Sequence, residues 1–119
     1  MGNPVTHFEI IGKDAKALQG FYRAAFGWEV VPAGPIYAMV HPKAETGING
    51  GIGNAPEGGD SSRVTVYIDV PDLDASLKKI ESLGGTKVIG PLDVPGGPSI
   101  ALFKDPEGHL IGLAKADED

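Results

Sequence analysis

Hydrophobic and polar positions along the chain switch between two periods, and they do so twice. Val5 to Ile11 alternates: His7 and Glu9 share one side of an extended segment, while Thr6, Phe8 and Ile10 share the other. After Gly12-Lys13 the period lengthens. Leu18, Phe21, Tyr22, Ala25 and Phe26 recur at i, i+3, i+4, i+7 and i+8, the spacing of one helix face. Asp14 stands where an N-cap belongs and Gly27 where a left-handed C-terminal residue belongs. Trp28–Val31 and Ile36–His41 then read as strands. Gly47–Gly53 is either a glycine-rich loop or a fourth strand passing close to another backbone or a ligand. The stretch 54–63, with Pro56 and Gly58-Gly59, reads as a linker.

The pattern then repeats. Val64–Val70 is a strand, and Pro71-Asp72 opens a helix whose Leu73, Leu77 and Ile80 lie on one face before Gly84-Gly85. Thr86–Ile89 is a strand, Pro91–Pro98 holds a turn at Gly96-Gly97, and Ser99–Lys104 is a strand. Asp105–Gly108 is a hairpin turn and His109–Lys115 a last strand. Laid over each other, the halves place Thr6 on Thr65, Leu18 on Leu77, Gly47 on Gly108 and Gly51 on Gly112. The reading is an α+β domain spanning 1–119. It is built of two tandem βαβββ repeats (4–53 and 64–116) whose sheet curves around a central cavity lined by the His7 and Glu9 side of the first strand.

Composition narrows the classes. The 119 residues suit one domain, and no cysteine is present to form a disulfide or a thiolate metal site. A net charge of −6, partly from Asp117-Glu118-Asp119, disfavours nucleic acid, which needs a basic surface. No apolar run has the length of a membrane span and no leader pattern opens the chain, so a soluble cytoplasmic protein is expected. The Gly47–Gly53 run matches no phosphate-loop pattern, and no nucleophile signature is present.

With these elements in hand, the chain resembles the vicinal oxygen chelate superfamily of glyoxalases, bleomycin-resistance proteins and extradiol dioxygenases. The resemblance spans 4–116. It is carried by the His7 strand, Phe21-Tyr22, Phe26-Gly27-Trp28, Asp72-Leu73-Asp74 and Phe103-Lys104-Asp105-Pro106-Glu107-Gly108-His109. It implies a metal held by His and Glu on the first and last strand of each repeat. Position by position, His7 matches, but Val66, Gly51 and Gly112 stand where the other three ligands belong. His7 and Glu9 remain a weak candidate metal pair, and two ligands are too few. The expectation is no cofactor, and glycines at 51 and 112 that enlarge the cavity.

The function expected from the resemblance is metal-free binding of a small organic molecule, as in the bleomycin-resistance branch. His7, Glu9, Tyr37, Met39, Val66, Phe103, Gly51 and Gly112 would form the ligand-binding wall. The alternatives are a metal-dependent lyase or isomerase of the glyoxalase type, and a dimeric interaction protein without a cavity ligand. Relatives imply a homodimer.

Overall fold

The computed structural model describes residues 2–55, 62–94 and 97–116. The anticipated linker centre, Gly96 of the anticipated turn and the acidic tail lie outside the described residues. Two compact units account for the rest, one of His7–Thr65 and one of Met1–Thr6 with Val66–Asp119. Each repeats the order strand, helix, strand, strand, strand.

In the first unit β1 (Val5–Gly12) leads into α1 (Ala15–Phe26), then β2 (Glu29–Pro32), β3 (Tyr37–His41) and β4 (Asn49–Asn54). The strands lie in the order β2-β3-β4-β1. The return from α1 brings β4 parallel to β1, while β2, β3 and β4 run antiparallel. The glycine-rich stretch is therefore a strand. Asp14 caps α1 by accepting from the Ala17 amide (3.1 Å), and Gly27 ends it at φ 71° with its N–H on the Arg23 carbonyl. Asn54 accepts from the Ala15 amide at 2.7 Å, tying the end of β4 to the helix start. Beneath α1 lie the buried Ala38, Val40 and Ile52, on alternate positions of β3 and on β4.

In the second unit β5 (Arg63–Val70, entering the unit at Val66) is followed by α2 (Leu73–Ser82), β6 (Thr86–Asp93), β7 (Ser99–Lys104) and β8 (Leu110–Lys115). The order is β5-β8-β7-β6, again with a parallel first pair. Asp72 caps α2 through the Ala75 amide (3.0 Å). The Asp105 carboxylate accepts from the Glu107 and His109 amides, which shapes the β7–β8 turn. Leu73 and Leu77 of α2 pack on Val70, Ala101, Phe103 and Leu113 to form the core. The β6 strand runs past its expected end at Ile89, through Pro91 to Asp93, with irregular pairing to β7 on either side of Ile89.

One expectation fails at α1. Its predicted apolar face was five residues, but Phe21 is 60% and Phe26 63% exposed, and Ala25 is exposed too. The sheet covers Ala15, Leu18 and Tyr22, one turn apart along the helix. The apolar stripe is wider than the sheet beneath it.

Candidate functional site

The site grows from strand parity. His7 and Glu9 stand on the side of β1 away from α1, because Phe8 between them faces the helix side, against Trp28. On β4 the glycines divide the same way. A Cβ on Gly50 would meet the Phe8 ring at 2.5 Å, whereas one on Gly51 or Gly53 would run into the Tyr37 ring. Tyr37 pairs with Gly53 on β3–β4, and Gly51 pairs with Glu9 on β4–β1. The bare backbone at 51 and 53 thus lets the tyrosine lie flat across β4. Its hydroxyl reaches a strand two places away and donates to Glu9 Oε2 at 3.2 Å. Met39, paired with Gly51, shares this side.

The other Glu9 oxygen, Oε1, receives Arg63 Nη2 at 3.4 Å, with side chains 13% and 25% exposed. Glu9 is thus held between a phenol and a guanidinium in a half-buried setting. Burial pushes the His7 imidazole below its ordinary pKa, and the Glu9 carboxylate pulls it partly back. The neutral imidazole carries one donor nitrogen and one acceptor. The cluster therefore offers an anionic acceptor, a cationic donor, a hydroxyl and a neutral amphoteric ring on one strand face.

The second unit carries a related device. Tyr67 pairs with Gly112, and a Cβ on Gly112 would enter the Tyr67 ring. Gly51 and Gly112 do not open space, as expected of them; a tyrosine fills each position. Nor does Val66 share the side of Gly112. Ile68 and Val70 pack with the α2 core, and Val66 follows their parity, so Tyr67 is the residue facing that side. The overlay of Thr6 on Thr65 was one residue out of register, which moves every side chain to the opposite face. Phe103 is a core residue beneath α2, 9% exposed, and does not join a ligand wall.

Sequence reasoning missed Arg63 and Tyr67. Arg63 falls at the end of the stretch that reads as a linker, and only its position at the start of β5 brings it to Glu9. The pairing of a tyrosine with a strand glycine was the available signal for Tyr67.

The ligand set of the superfamily can be tested on these donors. Glu9 already faces a cation, and Gly51 and Gly112 carry no donor and lie under tyrosine rings. Among the described residues no three His, Asp or Glu side chains gather as a metal-binding group. This donor set does not fit a catalytic divalent ion, which needs about three protein ligands.

Two βαβββ units, each pairing its first strand parallel to its last and carrying a helix on one side, define a vicinal oxygen chelate fold. Residues 8–114 match the glyoxalase-like domain, and the chain belongs to that family. It is 30% identical over 123 residues to the anthracycline biosynthesis protein DauV of Streptomyces sp. (strain C5), covering 89% of this chain and 44% of DauV. It is 31% identical over 111 residues to the putative glyoxylase CFP32 of Mycobacterium tuberculosis, covering 87% and 42%. The chain spans less than half the length of these curated relatives. Among solved structures, methylmalonyl-CoA epimerase from M. tuberculosis superposes with a TM-score of 0.74 at 17% identity, over 96% of this chain and 88% of the epimerase. The hypothetical protein BH1468 from Bacillus halodurans C-125 gives 0.75 at 14% identity, over 100% and 98%. These likenesses establish the fold.

Proposed function

We propose that the chain binds a small oxygenated organic molecule at the His7–Glu9–Tyr37–Arg63 cluster without a metal ion. The observation that carries the reading is the fixed Glu9 carboxylate, gripped by Tyr37 and Arg63 beside a half-buried imidazole of lowered basicity. Donors and acceptors held in place before a ligand arrives reduce the ordering cost of binding. Carbonyl and hydroxyl groups suit such an array. Glu9 accepts from a hydroxyl, while His7 and Arg63 donate to a carbonyl. Met39 and Tyr37 supply apolar surface on the same side.

The relatives' names suggest the probes. DauV is named for anthracycline biosynthesis, and the structural neighbours include Streptomyces coelicolor methylmalonyl-CoA epimerase in complex with 2-nitronate-propionyl-CoA. Chelator-treated protein is titrated with an anthracycline and with methylmalonyl-CoA while its melting temperature is followed. A ligand of the folded state present at a hundred times its Kd stabilises by about 2.7 kcal/mol. The expected result is a rise in melting temperature with one of the two compounds that Glu9→Gln abolishes. A rise that needs added metal contradicts the reading, as does one that Glu9→Gln and Arg63→Gln leave intact.

A cytoplasmic homodimer belongs to the same proposal. It is supported by the cysteine-free sequence and by the uncovered apolar surface of α1. No helix among the described residues is long and apolar enough to cross a membrane.

A further inference from the structure

Where β3 turns into β4, the first unit holds a cavity of about 400 Å³ whose polar wall is Glu29, His41, Lys43, Thr46 and Asn49. That volume lies in the ordinary range of small-molecule sites, about 300–1,000 Å³. Strand pairing sets the cavity next to the Glu9 cluster. Glu29 of β2 pairs with His41 of β3, and Asn49 of β4 pairs with His7 of β1. The β3–β4 register puts Met39 against Gly51, and two residues further on it brings His41 against Asn49. His41 follows Tyr37 and Met39 in parity, as His7 precedes Glu9. A row of polar side chains, Glu29, His41, Asn49 and His7, therefore crosses the unit on the face that carries the cluster. Neighbouring strands are about 4.8 Å apart, so the backbone at His41 lies roughly 10 Å from that at His7, with Asn49 between them.

Much of this wall is uncommitted. Lys43 Nζ meets Glu29 Oε2 at 3.2 Å, in a pair that stays open to solvent. The side chains of His41, Thr46 and Asn49 engage no partner among the described residues. Lys43 also holds a left-handed backbone, φ 55°, a costly conformation for a residue with a side chain and one that gathers at binding sites.

We infer that this cavity receives a neutral, hydroxylated group, a polyol or a sugar-like ring, carried by the molecule that sits at Glu9, resting on the reading above for that molecule's other end. Charge balance selects the class. Glu29 and Lys43 cancel, so an anion entering the cavity meets the Glu29 carboxylate and a cation meets the Lys43 ammonium. A hydroxyl donates and accepts at once, so adjacent hydroxyls satisfy the carboxylate and the ammonium together. The Asn49 amide and the Thr46 hydroxyl have the same double character. A purely apolar group would strip water from all of these and pair with none. Asn49, bordering both the cavity and His7, lies under the junction of the two parts of the ligand.

The test is an NMR titration of the nitrogen-15-labelled full chain with methyl β-D-glucopyranoside, run beside inorganic phosphate and methylammonium at the same concentrations. The glucoside is expected to move the Thr46 and Gly47 amides and the Asn49 side-chain amide along one saturable curve in the millimolar range, the affinity of a fragment of that size. The His7 ring resonances, one strand away, follow the same curve. Glu29→Gln and Asn49→Ala, both at exposed positions, remain folded by circular dichroism and each weaken binding by about 10-fold. A titration that moves nothing at Thr46, Gly47 and Asn49 overturns the inference, as does one that both substitutions leave as in the wild type. Shifts produced by phosphate or methylammonium in place of the glucoside assign the cavity to a charged group and overturn it too. Glucoside binding with His7 unmoved separates the cavity from the cluster and overturns the shared ligand. None of these outcomes uses a variant of Glu9, so a failure of the Glu9 reading, seen in its own melting-temperature test, is told apart from a failure here.

Discussion

The Tyr37 hydroxyl lies over the α-carbon side of Gly51, in the space a side chain at that position would occupy, and from there it donates to Glu9. The strand between tyrosine and carboxylate has to be bare for the two to meet. Gly51→Ala therefore forces either the methyl or the ring to move. Overpacking of this sort costs roughly 1–3 kcal/mol. Tyr37→Phe keeps the ring but takes the donor from Glu9, at about 1–2 kcal/mol. Urea denaturation of both variants checks these values. Combining Gly51→Ala with Tyr37→Ala costs less than the sum of the single changes, because the methyl then has room.

Arg63 and Glu9 form a half-buried pair, and removing either one takes a charge-assisted hydrogen bond from the other. Arg63→Met is expected to destabilise by about 1–3 kcal/mol, with Glu9→Gln similar. The double variant recovers part of the loss. Additive losses in a double-mutant cycle show that the two groups do not interact in solution.

The pH dependence follows from His7. Burial lowers its pKa in the folded state, so between that value and the ordinary value near 6.5 the unfolded chain binds more protons than the folded one. Stability therefore rises with pH through this window and falls as the solution is acidified below the ordinary value. Once the pH is below the folded-state value as well, this contribution is fully lost. His7→Asn flattens the melting-temperature profile in the window, and an NMR titration places the wild-type His7 midpoint below that of a histidine in a short peptide. A midpoint at or above the peptide's contradicts the burial argument.

Phe103 tests the reassignment from ligand wall to core. Phe103→Ala should cost about 3–5 kcal/mol, as for an aromatic cut from a packed interior. Val66→Ala, on the same side but only half-buried, costs less. A Phe103→Ala variant that melts like the wild type returns Phe103 to the surface.

How far the sequence reached is visible at particular residues. Asp14, Gly27 and Asp72 are local signals, and each capped the helix its position announced. The alternation of His7, Phe8 and Glu9 placed the two polar groups on one side because strand parity is also local. The second strand was harder. Thr65, Val66 and Tyr67 differ by single steps, and a one-residue slip in the overlay put Val66, rather than Thr65, in the place of His7. Glycine is equally ambiguous, since an absent side chain signals space without saying who fills it. At Gly51 and Gly53 the occupant is Tyr37, fourteen and sixteen residues earlier, a pairing that only the β3–β4 register decides. Amphipathic spacing likewise announced the apolar stripe of α1 but not its partner. Phe21 and Phe26 carry the same periodicity as Leu18 and Tyr22 and stay outside the sheet's cover.

At the proposed site the Glu9 carboxylate is gripped by the Tyr37 phenol and the Arg63 guanidinium, and the proposal is that no metal ion is needed there. Elemental analysis by plasma mass spectrometry, on protein purified without chelator, tests this most directly. The predicted content of nickel, zinc, manganese and iron is far below one ion per chain, and His7→Ala does not change it. One equivalent of a single divalent metal that is lost in His7→Ala would contradict the account.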